Sequence, residues 1–173
     1  MINNFKKKIK EKFNNFFDWV KGAELIELHT CNVEEDPIRP ELNLEFRTSY
    51  GRKIFGVKYK DEICAIMCFG YTNDIPKTIE ELDLMTKDAH LQSALRDQKV
   101  GKIAIAYTVW SKKKGGGKLI VKEVFKNIKK SNHLNRLVTL SPLTEMATKF
   151  HTRNGAKLLQ INEKTQNFEY KIL

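Results

Sequence analysis

Residues 107–118 (YTVWSKKKGGGK) bring an apolar, β-rich run against three consecutive glycines and four lysines. Glycine occupies φ > 0 at little cost, so Gly115, Gly116 and Gly117 are able to fold the backbone into a concave run of amide N–H groups. The helix predicted to follow adds the positive end of its dipole, and a turn of that kind is a cradle for anions. Lys112, Lys113, Lys114 and Lys118 crowd the same end, where each cation is disfavoured by about 0.3–1 kcal/mol unless an anion is bound. The expected ligand therefore carries phosphate. The segment is not a Walker A loop, because GGGK lacks the earlier glycine and Leu119 stands where a magnesium-binding hydroxyl would be. Nor is it a GxGxxG dinucleotide fingerprint, since it lies late in the chain rather than in a first βαβ unit.

Residues 141–156 hold a second group of candidates. Ser141 is placed as the N-cap of a helix over residues 142–153, with Pro142 at its first position and Asn154-Gly155 as its stop. Leu143, Met146, Ala147 and Phe150 form the apolar face of that helix, and His151 lies at its edge beside Thr144 and Thr148. Histidine titrates near neutrality, so it is able to give or take a proton there. No glutamate lies within residues 103–110. Glu27, His29, Glu80, Glu81 and Asp83 are the side chains that would have to act as a base through water. Cys31, Cys64 and Cys68 are odd in number and contain no CxxC pair, which argues against a disulfide framework or a zinc knuckle and for a reducing cytoplasm.

These residues require a strand before the glycines and a helix after them. Residues 101–110 are apolar on both alternating faces, which predicts a strand covered on both sides and central in its sheet. Residues 118–130 place Leu119, Ile120, Val121, Val124, Phe125 and Ile128 on one helical face. Residues 134–140 read as a further strand, and residues 156–161 and 167–172 as a closing hairpin. Upstream, residues 24–31 predict a first strand, and residues 52–58 and 62–71 a hairpin turning at Lys60-Asp61. A short helix is expected over residues 39–47. The connection over residues 73–99 predicts two short helices, near 78–85 and 87–96, and its length suggests a functional role. The fold class is mixed α/β (α+β), without internal repeats.

The chain has 173 residues, 41% of them hydrophobic, which suits one compact domain with one continuous core. No apolar run approaches the roughly 18 residues of a membrane span, and no signal-peptide pattern follows the first lysines. A net charge of +10 implies a polyanionic ligand, partner or surface. Only six of the 31 basic residues are arginine, which favours phosphate contacts over the reading of base edges. Residues 1–22 form a separate unit ahead of the domain at 23–173: Ile2, Phe5, Ile9, Phe13, Phe16, Phe17 and Val20 recur at helical spacing among lysines, closed by Gly22. Such a helix suits an anionic interface, its own domain or a second copy.

The order and spacing of these motifs resemble the GNAT superfamily of acyl-CoA N-acyltransferases over residues 24–173. The family's pyrophosphate loop, Gln/Arg-x-x-Gly-x-Gly/Ala, is matched by Lys112-Lys113-Lys114-Gly115-Gly116-Gly117, with lysine in the first place. Its later Ala-x-x-Phe-Tyr-x-x-x-Gly-Phe helix end is approached by residues 147–156 (ATKFHTRNGA). The resemblance implies a mostly antiparallel sheet flanked by helices whose fourth and fifth strands splay apart. It implies that acetyl-CoA or another acyl-CoA binds along Val109, Trp110 and Ser111 and at Lys112, Lys113, Lys114, Gly115, Gly116, Gly117 and Lys118, with no metal. His151 falls where the family often has a tyrosine as general acid. The implied activity is acyl transfer, most simply acetyl transfer, to an amine of a small molecule or protein, and a homodimer is possible. A second reading is a catalytically silent module that docks on nucleic acid, membrane or a protein. The run Val138-Thr139-Leu140-Ser141-Pro142 is similar to the strand end of malonyl-CoA decarboxylases, which share the fold and use serine and histidine. That resemblance adds acyl-CoA decarboxylation, through Ser141 and His151, as a third.

Overall fold

The computed structural model describes residues 18–170. The expected N-terminal helix lies outside the described residues except at its end, where residues 18–22 are helical. The chain then alternates strands and helices around one sheet. Its strands are β1 (Ala23–Leu28), β2 (Lys53–Tyr59), β3 (Glu62–Thr72), β4 (Ile103–Ser111), β5 (Arg136–Thr139), β6 (Ser141–Pro142), β7 (Ala156–Ile161) and β8 (Thr165–Tyr170). The helices are α1 (Leu44–Thr48), α2 (Ile79–Arg96), α3 (Gly116–Lys130) and α4 (Glu145–Arg153), with a 3-10 turn at Val33–Glu35. Along the sheet the order is β1-β2-β3-β4-β5-β8-β6, and β7 pairs with β8. Every pairing is antiparallel except β4 with β5. Among the described residues no helix is long and apolar enough to cross a membrane.

Alternation along the strands sends side chains into two clusters. One holds Ala65, Met67, Phe69, Ala104, Ala106 and Leu137 and is covered by Leu119, Ile120, Val124 and Ile128 of α3. The other holds Ile54, Ile66, Cys68, Ile103, Ile105 and Val138, with Leu82 of α2 and Leu42 just before α1. Most expected elements fall within a few residues of their predicted bounds, and three differ. The two short helices of residues 78–96 are one 18-residue helix, because Thr78 caps its start and Leu82, Thr86 and Ala89 give it one continuous buried line. The helix expected over residues 39–47 shrinks to α1, where the Asn43 side chain accepts from Phe46 N at 2.8 Å.

The third difference matters for chemistry. Ser141 is not the N-cap of the helix after it. Ser141 and Pro142 pair with Gln166 and Thr165 of β8, and Thr144 takes over the cap, its Oγ1 accepting from Ala147 N at 3.2 Å. The Ser141 hydroxyl is thus released from the helix end.

Candidate functional site

β4 is where the sheet parts. Its parallel pairing with β5 runs from Ile103 opposite Arg136 to Ala106 opposite Thr139, is extended by Leu140 N donating to Ala106 O at 2.8 Å, and stops. On the other side, Cys68 of β3 faces Thr108 while Phe69 faces Ala106, so Tyr107 is an extra residue in β4. A bulge bends and twists its strand. It also changes the parity of β4: Ile103, Ile105 and Tyr107 share a cluster with Trp110, three residues further on rather than two. Beyond the bulge a cleft of about 340 Å³ opens, with residues 106–112 on one side, Leu137, Thr139 and Ser141 on the other, and Pro37, Ile38, Met146, Ala147 and Phe150 at its rim. This is the splay expected from the resemblance, at the expected strands.

Ser141 and His151 meet at the wall of this cleft, and both line it. Ser141 Oγ lies 2.7 Å from His151 Nε2 and donates to Thr139 Oγ1 at 3.1 Å. On the other side of the ring, His151 Nδ1 lies 2.9 Å from the Tyr170 hydroxyl. The imidazole stacks on Phe168, centroids 5.1 Å apart at 28°, and Phe150 meets it edge-on at 5.1 Å. Only 5% of His151 is exposed, and burial pushes its pKa down to about 4. The ring is neutral at pH 7, and burial likewise pushes the Tyr170 phenol up. The result is a chain of three neutral groups in which one ring nitrogen donates and the other accepts. It is able to relay a proton, and among the described residues no carboxylate stands behind it.

Strand β8 holds this arrangement in place. Gln166 Nε2 donates to Pro142 O at 2.9 Å and to Thr144 O at 3.1 Å, fixing β6 and the start of α4. Asn167 Nδ2 donates to Thr139 O at 2.9 Å and to Pro76 O at 3.0 Å. Phe168 N donates to Thr139 Oγ1 at 3.1 Å. Tyr170, Gln166 and Asn167 were absent from the sequence-based candidates. The signal was the polar pair Gln-Asn inside an otherwise strand-like terminus, where a buried amide needs partners on both sides.

The glycine turn is simpler than expected. Only Gly115 has positive φ, at 85°, while Gly116 and Gly117 already belong to α3. A Cβ on Gly116 would lie 2.9 Å from Ser111 Cβ, and one on Gly117 would lie 3.0 Å from the Phe150 ring. The fold itself takes up some of the amides expected to be open: Gly116 N donates to Lys113 O and Lys112 N to Cys64 O, each at 2.9 Å. The N–H groups of Gly117 and Lys118, in the first turn of α3, have no acceptor within the helix by position.

The lysines divide as well. Lys112 Nζ pairs with Glu35 Oε2 at 2.5 Å, and Lys113 Nζ sits 4.4 Å over the Tyr59 ring. Lys114 and Lys118 are exposed at the turn. Val109, Trp110, Ser111, Lys112 and Gly117 line the cleft, whereas Lys113, Lys114, Gly115, Gly116 and Lys118 do not. Among the residues that line it, Glu35 is the one carboxylate. Glu27 is paired with Lys53 and Asp83 with Arg52 and Lys87. Glu27, His29, Glu80, Glu81 and Asp83 all lie away from the cleft lining.

No family model and no curated protein matches the chain. Solved structures do match its fold. A malonyl-CoA decarboxylase from Rhodopseudomonas palustris aligns with TM-score 0.63 at 16% identity, over 96% of this chain and 64% of that one. The malonyl-CoA decarboxylase from Cupriavidus metallidurans aligns with TM-score 0.52 at 18% identity, over 84% of this chain and 38% of that one. An acetyltransferase from Bacillus subtilis in complex with CoA aligns with TM-score 0.59 at 10% identity, over 87% of this chain and 99% of that one. The chain thus spans the length of the acetyltransferase but only part of either decarboxylase. Its mixed, mostly antiparallel sheet with flanking helices is the GNAT fold.

Proposed function

We propose that the cleft binds a CoA thioester and that Ser141 and His151 act on its acyl group. The observation that carries this reading is the 2.7 Å contact between the two side chains inside a mainly apolar cleft at the parting of β4 and β5. Past Ala106, the β5-facing edge of β4 has no strand partner among the described residues. Its peptide groups match the amides of a pantetheine arm, which Val109, Trp110 and Ser111 would flank. The first amides of α3 with Lys114 and Lys118 would meet the pyrophosphate.

Among the reactions of such a thioester, loss of CO2 from a malonyl-type 3-carboxyacyl group suits these residues best. An apolar cleft disfavours the bound carboxylate relative to the CO2 it becomes. As the C2–C3 bond breaks, its electron pair moves into the thioester carbonyl as an enolate, to which the Ser141 hydroxyl donates a hydrogen bond. The proton that finally reaches C2 comes through the Ser141–His151 pair, which regains it from solvent. No step asks a residue to deprotonate an amine. The two decarboxylases of the same fold, and the resemblance at residues 138–142, support this reading.

Acyl transfer to an amine is the second reading, favoured by the likeness to an acetyltransferase solved with CoA. It needs a base, and the cleft offers only Glu35, already held by Lys112, and a histidine with pKa near 4. At a hundred times Kd, CoA should stabilise the protein by about 2.7 kcal/mol, a rise in Tm of about 5–10 °C. Malonyl-CoA should be converted to acetyl-CoA and CO2, and Ser141→Ala and His151→Asn should each slow this by about 10²–10⁴-fold. Release of CoA from acetyl-CoA in the presence of amines, with malonyl-CoA untouched, would select the second reading. The absence of any thermal response to CoA or its thioesters would reject both.

A further inference from the structure

Strand β7 lies at an edge of the sheet: among the described residues it pairs with β8 and with no other strand. Such an edge presents unpaired N–H and C=O groups, and folded proteins commonly guard it with charges, prolines or bulges. The guard here is slight. β7 (AKLLQI) contains one charge, Lys157, and no proline. A bulge leaves Leu159 without a partner in β8, as the register steps from Leu158 opposite Phe168 to Gln160 opposite Asn167. Even so, Leu158, Leu159 and Ile161 are 48%, 39% and 63% exposed. Large apolar side chains crowded on an open edge mark a surface that another chain covers. The nearby charges are unsatisfied as well. Lys157 stands opposite Glu169 in the hairpin, but Glu169 is held by Arg136 at 2.6 Å, and Glu163, in the turn between β7 and β8, is exposed.

We infer that β7 of a second copy of this chain covers the edge, the two strands pairing antiparallel about a two-fold axis at Gln160. A two-fold axis through a strand edge makes the pairing antiparallel and repeats every contact. With the axis at Gln160, that residue lies opposite its own copy, Leu159 lies opposite the partner's Ile161, and Lys157 lies opposite the partner's Glu163. Apolar residues thus meet apolar residues, and each exposed lysine meets a glutamate; cross-strand pairs of both kinds stabilise a sheet. Neighbouring registers lose this match. An axis at Leu159 sets Lys157 against the partner's Ile161, and an axis at Ile161 sets Leu159 against the partner's Glu163. The pairing joins two sheets into one and turns β7 from an edge strand into an internal one. Its neighbour β8, which carries Gln166, Asn167 and Tyr170 of the cleft wall, then lies two strands away from any partner surface rather than beside an open edge.

By light scattering, the whole protein should have twice the 20.1 kDa mass of one chain and fall toward the single mass on dilution. Lys157→Glu and Glu163→Lys should each weaken association by about tenfold or more, because like charges then meet at both ends of the pair, and the double variant should restore it. Directly opposite Cα atoms in such a ladder lie about 4.5–5.5 Å apart, within reach of a disulfide. Gln160→Cys should therefore link two copies through position 160 on mild oxidation, whereas Leu95→Cys, at an 85% exposed position on α2, should not. Amide exchange over residues 156–161 should slow by about tenfold as the concentration rises and dimers form. A single-chain mass at every concentration would overturn the proposal. So would a dimer that both single charge variants leave intact, or one linked as readily at position 95 as at position 160, since the interface would then lie elsewhere. A double variant that fails to regain association would overturn the register. None of these outcomes depends on whether CoA binds.

Discussion

His151 is held between two hydroxyls, Ser141 and Tyr170, and stacked on Phe168, an environment that accepts a neutral ring and resists a charged one. The consequence is measurable as stability. An unfolded chain protonates this histidine near pH 6.5, but the folded chain does so only near pH 4. Between those values the unfolded state binds the extra proton, so stability is complete above pH 6.5 and falls as pH is lowered toward 4. The loss amounts to about 3 kcal/mol when complete. Urea unfolding of the wild type and of His151→Asn at pH 7 and pH 4.5 measures it: the wild type should lose more on acidification than the variant. Equal losses would mean that the ring is not buried as described.

At the scale of elements, the cleft depends on a bulge and on a loop pinned to the strand that carries it. Asp36 and Arg47 form an ion pair with fully buried side chains, and Arg47 also donates to Leu42 O at 2.9 Å and Arg39 O at 2.7 Å. Removing one member strands the other charge, so Asp36→Ala should cost about 3–5 kcal/mol. Replacing Asp36 and Arg47 together by apolar residues should cost less than the single change, and denaturant titration of both variants distinguishes these outcomes. None of this was legible from the sequence, where Asp36 is one acid in a polar loop. What was legible rests on periodicity and short-range rules for the central strand β4, the Lys60 turn and the amphipathic α3, and on the family resemblance for the strands that part beyond Ala106. Local rules also misplaced Ser141. Serine before proline satisfies every cap preference, yet pairing with Gln166, 25 positions later in the chain, prevailed, because β8 supplies bonds that no local pattern encodes. His151 was found by its place in a motif, whereas its partner Tyr170, nineteen residues away, required the tertiary fold.

At the scale of the whole molecule, one sheet supplies both hydrophobic clusters. Ala104 and Ala106 of β4 face the cluster under α3, while Ile103 and Ile105, alternating with them, face the cluster under α2. Neither cluster is able to dissolve without exposing the other side of the same strands, so the described domain should unfold as one cooperative unit despite the cleft that divides its edge. The chain's two tryptophans are placed to test this, since Trp19 belongs to the first cluster and Trp110 to the second. In Trp110→Phe the fluorescence reports only the α3 side, and in Trp19→Phe only the α2 side. Each variant will have its own stability, so each emission curve is compared with far-ultraviolet circular dichroism of the same variant during urea titration. Coincident transitions in both variants are expected. A fluorescence transition that precedes the loss of secondary structure in Trp19→Phe would instead mean that the α2 side opens by itself. The rim segment over residues 33–39, which bonds to that side through Arg47 and Thr108, would then move without global unfolding.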